Sequence, residues 1–375
     1  MNNHREETEA LLRLSLCKGV STRTVYALLD RFESPVEALA ASVDALIGVD
    51  GVSQAAAASI RRGPDDALVE QEIDLMRAHG VRLVPFFSDD YPAPLRHLDR
   101  DAPVLLRVRG EYLQADRLAV AVVGARRCSA YGRDQASRIA CDLASMGFTV
   151  VSGLAYGVDS AAHRGALLAR GRTLAVLGCG LGRGLPEQEA ELAQEIVGAG
   201  ALLSELPMMT PPLRGNFPPR NRIISGLSLG VVVVEAAKRS GSLITARLGA
   251  EQGRAVFAVP GSVASPTSRG CHRLIRDGAV LVESARDVVE GLGPLSEPLA
   301  VGPTEEQVDA VDDARVLALN ARERRIFDLV GPSPMHVDEV ISQTELPPSI
   351  VSSTLLTLEI RGLLRQLAGQ RYVRN

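Results

Sequence analysis

LAVAVVGARRCSAYG occupies residues 118–132, and its reading decides the fold. An apolar run without polar alternation, closed by glycine and followed by a helical stretch, is how a strand buried on both faces reads. The pattern recurs in FTVVSG (148–153), TLAVLG (173–178), ALLSEL (201–206), GVVVVEA (230–236) and AVFAVPG (255–261). Helical stretches separate these runs. Between the first two, Ala136, Ile139, Ala140 and Leu143 share one helical face. Such alternation predicts an α/β, Rossmann-like domain over residues 116–290. Its sheet is doubly wound and mainly parallel, with helices on both sides and right-handed crossovers.

Outward from that core, VRLVPFF (81–87) and PVLLRVRG (103–110) read as strands, with YPAPLRHL between them as a proline-set turn. A helix is expected over 64–79. The segment 63–115 is therefore a lead-in to the core. Residues 1–62 read as a small all-helical domain. Leu11, Leu12, Leu14 and Leu16 open its first helix, Val25, Leu28 and Leu29 sit in the next, and Gly19, Gly48 and Gly51 punctuate it. It is SAM-like or helix-hairpin-helix-like. A hairpin of that kind can point turn amides at a phosphate, but the acidic surroundings favour a plain helical bundle. Beyond the core, residues 291–315 are an acidic, proline-containing linker. Residues 316–375 show helices near 321–330, 337–343 and 348–360 and then a β tail, the winged-helix order.

The chain has 375 residues, more than one compact core usually holds, with 46% hydrophobic and 23% charged residues. These values exclude wholesale disorder. No uncharged apolar run approaches the roughly 18–20 residues that span a bilayer. The opening MNNHREETEA is charged where an export signal would be apolar, so a cytoplasmic protein is expected. Cys17, Cys128, Cys141, Cys179 and Cys271 are scattered, without a CxxC pair, which supports neither a zinc site nor a disulfide framework. The net charge of −4 conceals a basic centre: residues 116–290 hold 20 basic and 15 acidic groups, net +5. A polyanion would bind there if anywhere, although a merely mixed surface fits the same number.

Ligands of open α/β sheets bind outside the carboxyl ends of the strands. Those ends are rich in glycine and short polar residues: GARRCSAYG (124–132), SGLAYGVD (152–159), GCGLGRG (178–184), EAAKRSGSLITAR (235–247) and PGSVASPTSRG (260–270). Several such loops at one edge suit a ligand carrying several phosphates. No GxxxxGK[ST] is present, and Gly178, Gly180 and Gly182 miss the spacing of a dinucleotide loop. Neither a P-loop nucleotidase nor a nicotinamide enzyme fits, and no cofactor or metal is expected.

LRGNFPPRNRIISGLS (213–228) is a different kind of signal. Arg214, Arg220 and Arg222 cluster around Phe217. Guanidinium forks grip phosphates and an aromatic ring stacks on an unpaired base, the combination that suits single strands. The plainer reading makes Phe217 core and pairs Arg220 with Glu235. Catalytic candidates are scarce. His163 follows Asp159 by four residues and reads better as a helix-face histidine than as a general base. Glu235 is read as holding neighbouring arginines, and His272 as structural.

Taken in order, VGARRCSAYG, SGLAYGVDSAAHRGAL, FPPRNRIISGLS, VVVVEAAKRSGSLITARLGAEQGRAVFAVPGS and SRGCHRLIRDGA strongly resemble the DNA-processing protein A (DprA/Smf) family. YPAPLRHLDRDAPVLLRVRG resembles that family's lead-in. The likeness is close over residues 80–285 and looser at either end. It implies a non-enzymatic bacterial protein that protects incoming single-stranded DNA and loads the RecA recombinase onto it during natural transformation. It also implies a homodimer joined through the Rossmann-like domain. The family's phosphate pocket maps onto Arg126, Arg214 and Phe217, with arginine at 214 where members usually carry lysine. The family's YPxxN-like segment is replaced by GLPEQEAEL, so no site is carried over there.

The expected groove thus runs along the carboxyl edge of the sheet. It joins Arg126, Ser152 and Gly153 to Arg214, Phe217, Arg220 and Arg222, and reaches Lys238 and the turn Ser240, Gly241, Ser242. Arg222 is the member that could instead brace Glu235. The dimer is expected on CHRLIRDGAVLVE (271–283), through Leu274, Ile275, Val280 and Leu281. One alternative is a nucleotide-cleaving phosphoribohydrolase of the lysine-decarboxylase-like Rossmann class. That class resembles a PGGxGTxxE loop with a catalytic glutamate, whereas RSGSLITAR here lacks it. A third reading, a duplex-DNA regulator, is weakened by PPSIVSSTLLTLEI, which holds no basic residue before Arg361. The winged-helix-like module is read as a protein-contact or weak duplex-binding accessory.

Overall fold

A computed structural model describes residues 2–293, 319, 321–331, 335–344, 346–360, 363–367 and 371–374. Of the linker read at 291–315, everything beyond Gly293 lies outside the described residues. The chain divides into two compact units, residues 1–292 and 293–375.

The first unit is built on nine strands: β1 (Val81–Pro85), β2 (Leu105–Gly110), β3 (Ala119–Gly124), β4 (Thr149–Ser152), β5 (Thr173–Val176), β6 (Ala201–Ser204), β7 (Gly230–Val234), β8 (Ala255–Ala258) and β9 (Val280–Leu281). They lie in the order β1-β2-β6-β5-β4-β3-β7-β8-β9. Strands β3 to β9 run parallel. The lead-in strands β2 and β1 add antiparallel beyond β6. The strand order reverses at β3, which pairs with β4 on one side and β7 on the other. Loops leaving β3 and β7 therefore diverge and open a crevice at the carboxyl edge.

Fourteen helices among the described residues belong to this unit. α1 (Asn2–Leu16), α2 (Thr22–Phe32), α3 (Pro35–Ala40), α4 (Val43–Ile47), α5 (Gln54–Arg62) and α6 (Asp66–Ala78) precede the sheet, and α7 (Ala93–Arg96) stands where a plain turn was expected. Ser21, Ser34, Ser42 and Ser53 cap α2 to α5, each hydroxyl accepting a backbone N–H of the first turn. Then come α8 (Ala130–Ser145), α9 (Val158–Leu168), α10 (Glu187–Ala199), α11 (Phe217–Gly226), α12 (Ser242–Glu251), α13 (Arg269–Arg276) and α14 (Ala285–Gly291). Among the described residues no helix is long and apolar enough to cross a membrane.

Alternation along the strands feeds two cores. Ala175 and Leu202 point to one face, where they join Leu192 and Ile196 of α10 and also Leu11, Leu28 and Ile60 of the N-terminal helices. Leu174, Val176 and Leu203 point to the other, against Ile223, Ile224 and Ala246 of α11 and α12. The N-terminal helices and the lead-in, read separately in the sequence, thus share a core with the Rossmann-like sheet.

The second unit carries α15 (Ala321–Leu329), β10 (Met335–His336), α16 (Val337–Thr344), α17 (Pro348–Ile360), β11 (Leu364–Leu367) and β12 (Arg371–Arg374). Its antiparallel sheet, in the order β10-β12-β11, closes over Ile326, Val340, Val351, Leu355 and Leu358, the winged-helix arrangement.

Arg107 on β2 is fully buried, and its Nε donates to Glu72 of α6 at 2.7 Å. The same carboxylate accepts the Met208 N–H, while Arg107 donates to the Glu205 carbonyl at 3.1 Å. This pair ties α6, the lead-in and the loop after β6 together. Removing one partner strands a buried charge. Glu72→Ala is therefore expected to lower stability by about 3–5 kcal/mol, and an apolar Glu72→Leu/Arg107→Met double replacement by clearly less. Urea unfolding measures both; a single replacement costing less than the double would contradict this account.

Candidate functional site

At the carboxyl edge the site is floored by the ends of β3, β4 and β5 and roofed by the start of α11. Phe217, the first residue of that helix, lies half-buried across Gly178 at the end of β5. A Cβ on Gly178 would come within 2.7 Å of the ring, so only glycine lets the ring settle there. The Arg126 guanidinium, from the loop after β3, stacks on the ring with its Cζ 4.7 Å from the centroid. Arg126 itself is exposed and makes no ion pair among the described residues. Behind it, Gly157 (φ 85°) lets the start of α9 touch the carbonyls of Ala125 and Arg126, which any side chain would strike.

Arg220 stands one helical turn after Phe217 and is buried. Its Cζ is 6.0 Å from the ring centroid. Its Nη1 donates to the Gly153 carbonyl at 2.9 Å and to the Val176 carbonyl, at the ends of β4 and β5. Burial pulls its pKa down to about 10, against the attraction of Asp159. Burial likewise raises the Asp159 carboxyl, which accepts the Gly153 N–H at 3.2 Å. Arg220 was expected to grip a phosphate directly, or else to pair with Glu235. It does not pair with Glu235: its fork faces carbonyl oxygens under the ring, because the helix turns it towards the strand ends.

The other expected members separate into two groups. Arg214 and Lys238 are exposed and make no ion pair among the described residues. Gly241 is exposed at the turn before α12, and the Asn221 amide of α11 reaches its carbonyl at 3.5 Å. The Ser240 and Ser242 hydroxyls bond each other at 2.8 Å. Ser152 and Gly153, like Ser242, are buried. The Ser152 hydroxyl donates to the Val122 carbonyl at 2.6 Å, so its side chain holds β4 to β3. Arg222 turns to Glu205 at 2.7 Å, not to Glu235, and Glu205 also accepts from the Thr22 hydroxyl of α2. Glu235 caps α8 instead of holding arginines: it accepts the Ser129 N–H at 2.7 Å and the Ser129 hydroxyl at 2.6 Å. Two cations that the sequence reading did not single out, Arg133 of α8 and Arg164 of α9, line an open cleft beside Gly157. The available signal was that no acid stands four residues away from either: Ser129 and Ser137 flank the first, Ser160 and Leu168 the second.

Leu274 and Ile275 are half-buried against the core, whereas Val280 and Leu281 on the edge strand β9 are 45% and 47% exposed. His163 is buried with Nδ1 2.7 Å from the Thr173 hydroxyl, and His272 Nε2 meets the Gly261 carbonyl at 3.0 Å.

Fold and site together define a Rossmann-like α/β protein with exposed guanidinium groups and an aromatic ring at the carboxyl edge of its sheet, joined to a winged-helix unit. Residues 82–293 match the family described as DNA recombination-mediator protein A, and residues 312–370 match the DprA winged helix domain. "Protein Smf" of Escherichia coli is 42% identical over 308 residues, covering 82% of this chain and 80% of that protein. "DNA processing protein DprA" of Bacillus subtilis is 40% identical over 58% of this chain and 73% of its own. The crystal structure of DNA processing protein A from Streptococcus pneumoniae superposes with a TM-score of 0.65 at 36% identity, over 76% of this chain and 97% of that one. A Helicobacter pylori homologue, described as giving "structural insights into the unique single-stranded DNA binding mode of DNA processing protein A", has a TM-score of 0.51 at 29% identity, over 56% and 95%. The chain belongs to the DNA recombination-mediator protein A family, DprA/Smf.

Burial holds the His163 pKa near 3, well below its unfolded value of about 6.5. Between those values the unfolded chain binds a proton that the native state refuses, so stability falls as pH drops through that window. From pH 7 to pH 5 this group should remove about 2 kcal/mol from the wild type and nothing from a His163→Asn variant. Equal losses in both, by urea unfolding at the two pH values, would show that His163 does not carry the effect.

Proposed function

We propose that the chain binds single-stranded DNA along the carboxyl edge of the sheet, without catalysis, and delivers it to the RecA recombinase as a mediator. The observation that carries this reading is the half-buried Phe217 ring with the unpaired Arg126 guanidinium stacked on it. An unpaired base has a π-face to lay on that cluster, and the adjacent phosphates meet Arg126, Arg214 and Lys238. Bases inside a duplex are already stacked, so the ring favours single strands. Arg220, Ser152 and Gly153 form the supporting floor and touch no phosphate. The turn at Ser240, Gly241 and Ser242 forms the rim.

Support also comes from the Helicobacter pylori homologue, whose structure is described in terms of single-stranded DNA binding. The mediator role rests on the family's description and on a site that offers guanidinium and aromatic contacts but no acid–base pair. The protein acts as a homodimer in this reading. β9 is an edge strand, and its exposed Val280 and Leu281 offer a second copy an apolar ladder to pair with.

Alanine at Arg126 or Arg214 should weaken binding to an oligothymidylate and lower the salt slope by about 0.7 for each phosphate no longer held. Alanine at Phe217 should cost about 1–3 kcal/mol and leave the slope nearly unchanged. Wild-type affinity in all three variants, with melting unaltered, would remove the site. The same variants should fail to speed RecA assembly on the strand.

For the dimer, Leu281→Glu is the cleaner replacement, because Ile275 is half-buried in the core. A folded monomer by light scattering is expected; a persistent dimer would place the interface elsewhere.

A further inference from the structure

Beside the Arg126 loop, whose side chain reaches the Phe217 ring, lies an open cleft of about 490 Å³ where α8, α9 and the start of α10 approach one another. Arg126 joins the two places. Its carbonyl packs on Gly157, which lines the cleft, and its guanidinium stacks on the ring. The cleft wall is chemically mixed. Arg133 and Arg164 are exposed and make no ion pair among the described residues. Tyr156 presents a ring that is 52% exposed. Glu189 is only 5% exposed; its carboxylate stands beside the Tyr156 hydroxyl, whose pKa it raises, while its Oε2 is buried without a hydrogen-bond partner. This residue belongs to GLPEQEAEL, the segment to which the sequence reading assigned no site.

A buried carboxylate oxygen with no donor is costly, and it is satisfied by a ligand that brings one. A simple anion would suit the two guanidiniums and be repelled by Glu189. A metal ion would suit Glu189 and be repelled by the guanidiniums. A nucleotide answers both, with an anionic phosphate at one end and a base edge at the other. Of the four DNA bases, adenine, cytosine and guanine carry an exocyclic amino group; thymine's one donor, N3–H, lies between two carbonyl oxygens that a carboxylate repels. The Tyr156 ring supplies a stacking face for the same base.

We propose that this cleft is a second nucleotide subsite for the bound strand: Arg133 and Arg164 take a phosphate, and Glu189 accepts from the exocyclic amino group of a base stacked on Tyr156. The inference rests on the single-strand reading above and extends it to the neighbouring nucleotides. It makes binding tolerant of sequence at the Phe217 ring and selective against thymine in the cleft.

Fluorescence anisotropy with an oligothymidylate and with an equally long strand of alternating thymidine and cytidine separates the possibilities. The wild type should bind the alternating strand about fivefold or more tightly, as expected for a hydrogen bond to a charged acceptor. Glu189→Leu, which removes the acceptor at similar volume, should abolish that preference while leaving oligothymidylate affinity within about twofold. Arg133→Ala/Arg164→Ala, two exposed replacements that leave the core untouched, should lower the salt slope on both strands by about 0.7, for the one phosphate they share. Two results would overturn the subsite: no base preference in the wild type, or an unchanged salt slope in the double variant while Arg126→Ala still weakens binding. The latter leaves the single-strand reading standing. Failure of the Arg126 and Phe217 variants to weaken binding would bring both down together.

Discussion

A buried guanidinium organises this site. Arg220 is buried, so its N–H groups must find acceptors within the protein. It finds them in the carbonyls of Gly153 and Val176, at the ends of two neighbouring strands, and it draws Asp159 towards it electrostatically. Those contacts settle where α11 begins, because Arg220 stands in its first turn. The start of α11 in turn settles where Phe217 lies, and Gly178 gives the ring room to lie flat. Only then does Arg126 have a surface on which to stack. The exposed part of the site is thus the outer layer of a stack whose innermost member is a charge held by the sheet.

The molecule's charges divide by a similar logic. Arg107 with Glu72, Arg172 with Asp116 and Arg222 with Glu205 are pairs with at least one member buried or nearly so, and they join elements far apart in sequence. Arg126, Arg133, Arg164, Arg214 and Lys238 have no such partners among the described residues and gather around the carboxyl edge. A segment net charge of +5 understates that edge, since many of the segment's acids are already engaged by arginines or helix caps. The field a ligand meets depends on which charges are left unpaired, not on their sum.

The N-terminal helices reach the same framework from another direction. Thr22 of α2 donates to Glu205, the carboxylate that also holds Arg222 of α11. Arg107 of the lead-in donates to the Glu205 backbone carbonyl. Glu205 follows β6 directly, so one short segment braces the helical region, the lead-in and the helix that carries Phe217.

Apolar runs without alternation determined by themselves that the sheet is mainly parallel and covered on both faces, since only such strands lack a polar side. Ordered motifs likewise determined the family, and three helices before a β tail determined the winged-helix unit. The FPPRNR spacing showed that Phe217 and its arginines stand together. It could not show which arginine meets solvent, because each helical residue is turned by about 100° from the last and the rotation of α11 is set by what it packs against. Three steps bring Arg220 back beneath the ring, while Arg222 points to Glu205. Glu235 illustrates the same limit: arginines adjoin it in sequence, yet it caps a helix that begins about a hundred residues earlier. Gly153, Val176, Gly178 and Arg126 come from three strand ends scattered along the chain, and the order of the strands alone makes them neighbours. Local periodicity is a property of the chain, but proximity across a sheet is a property of its topology.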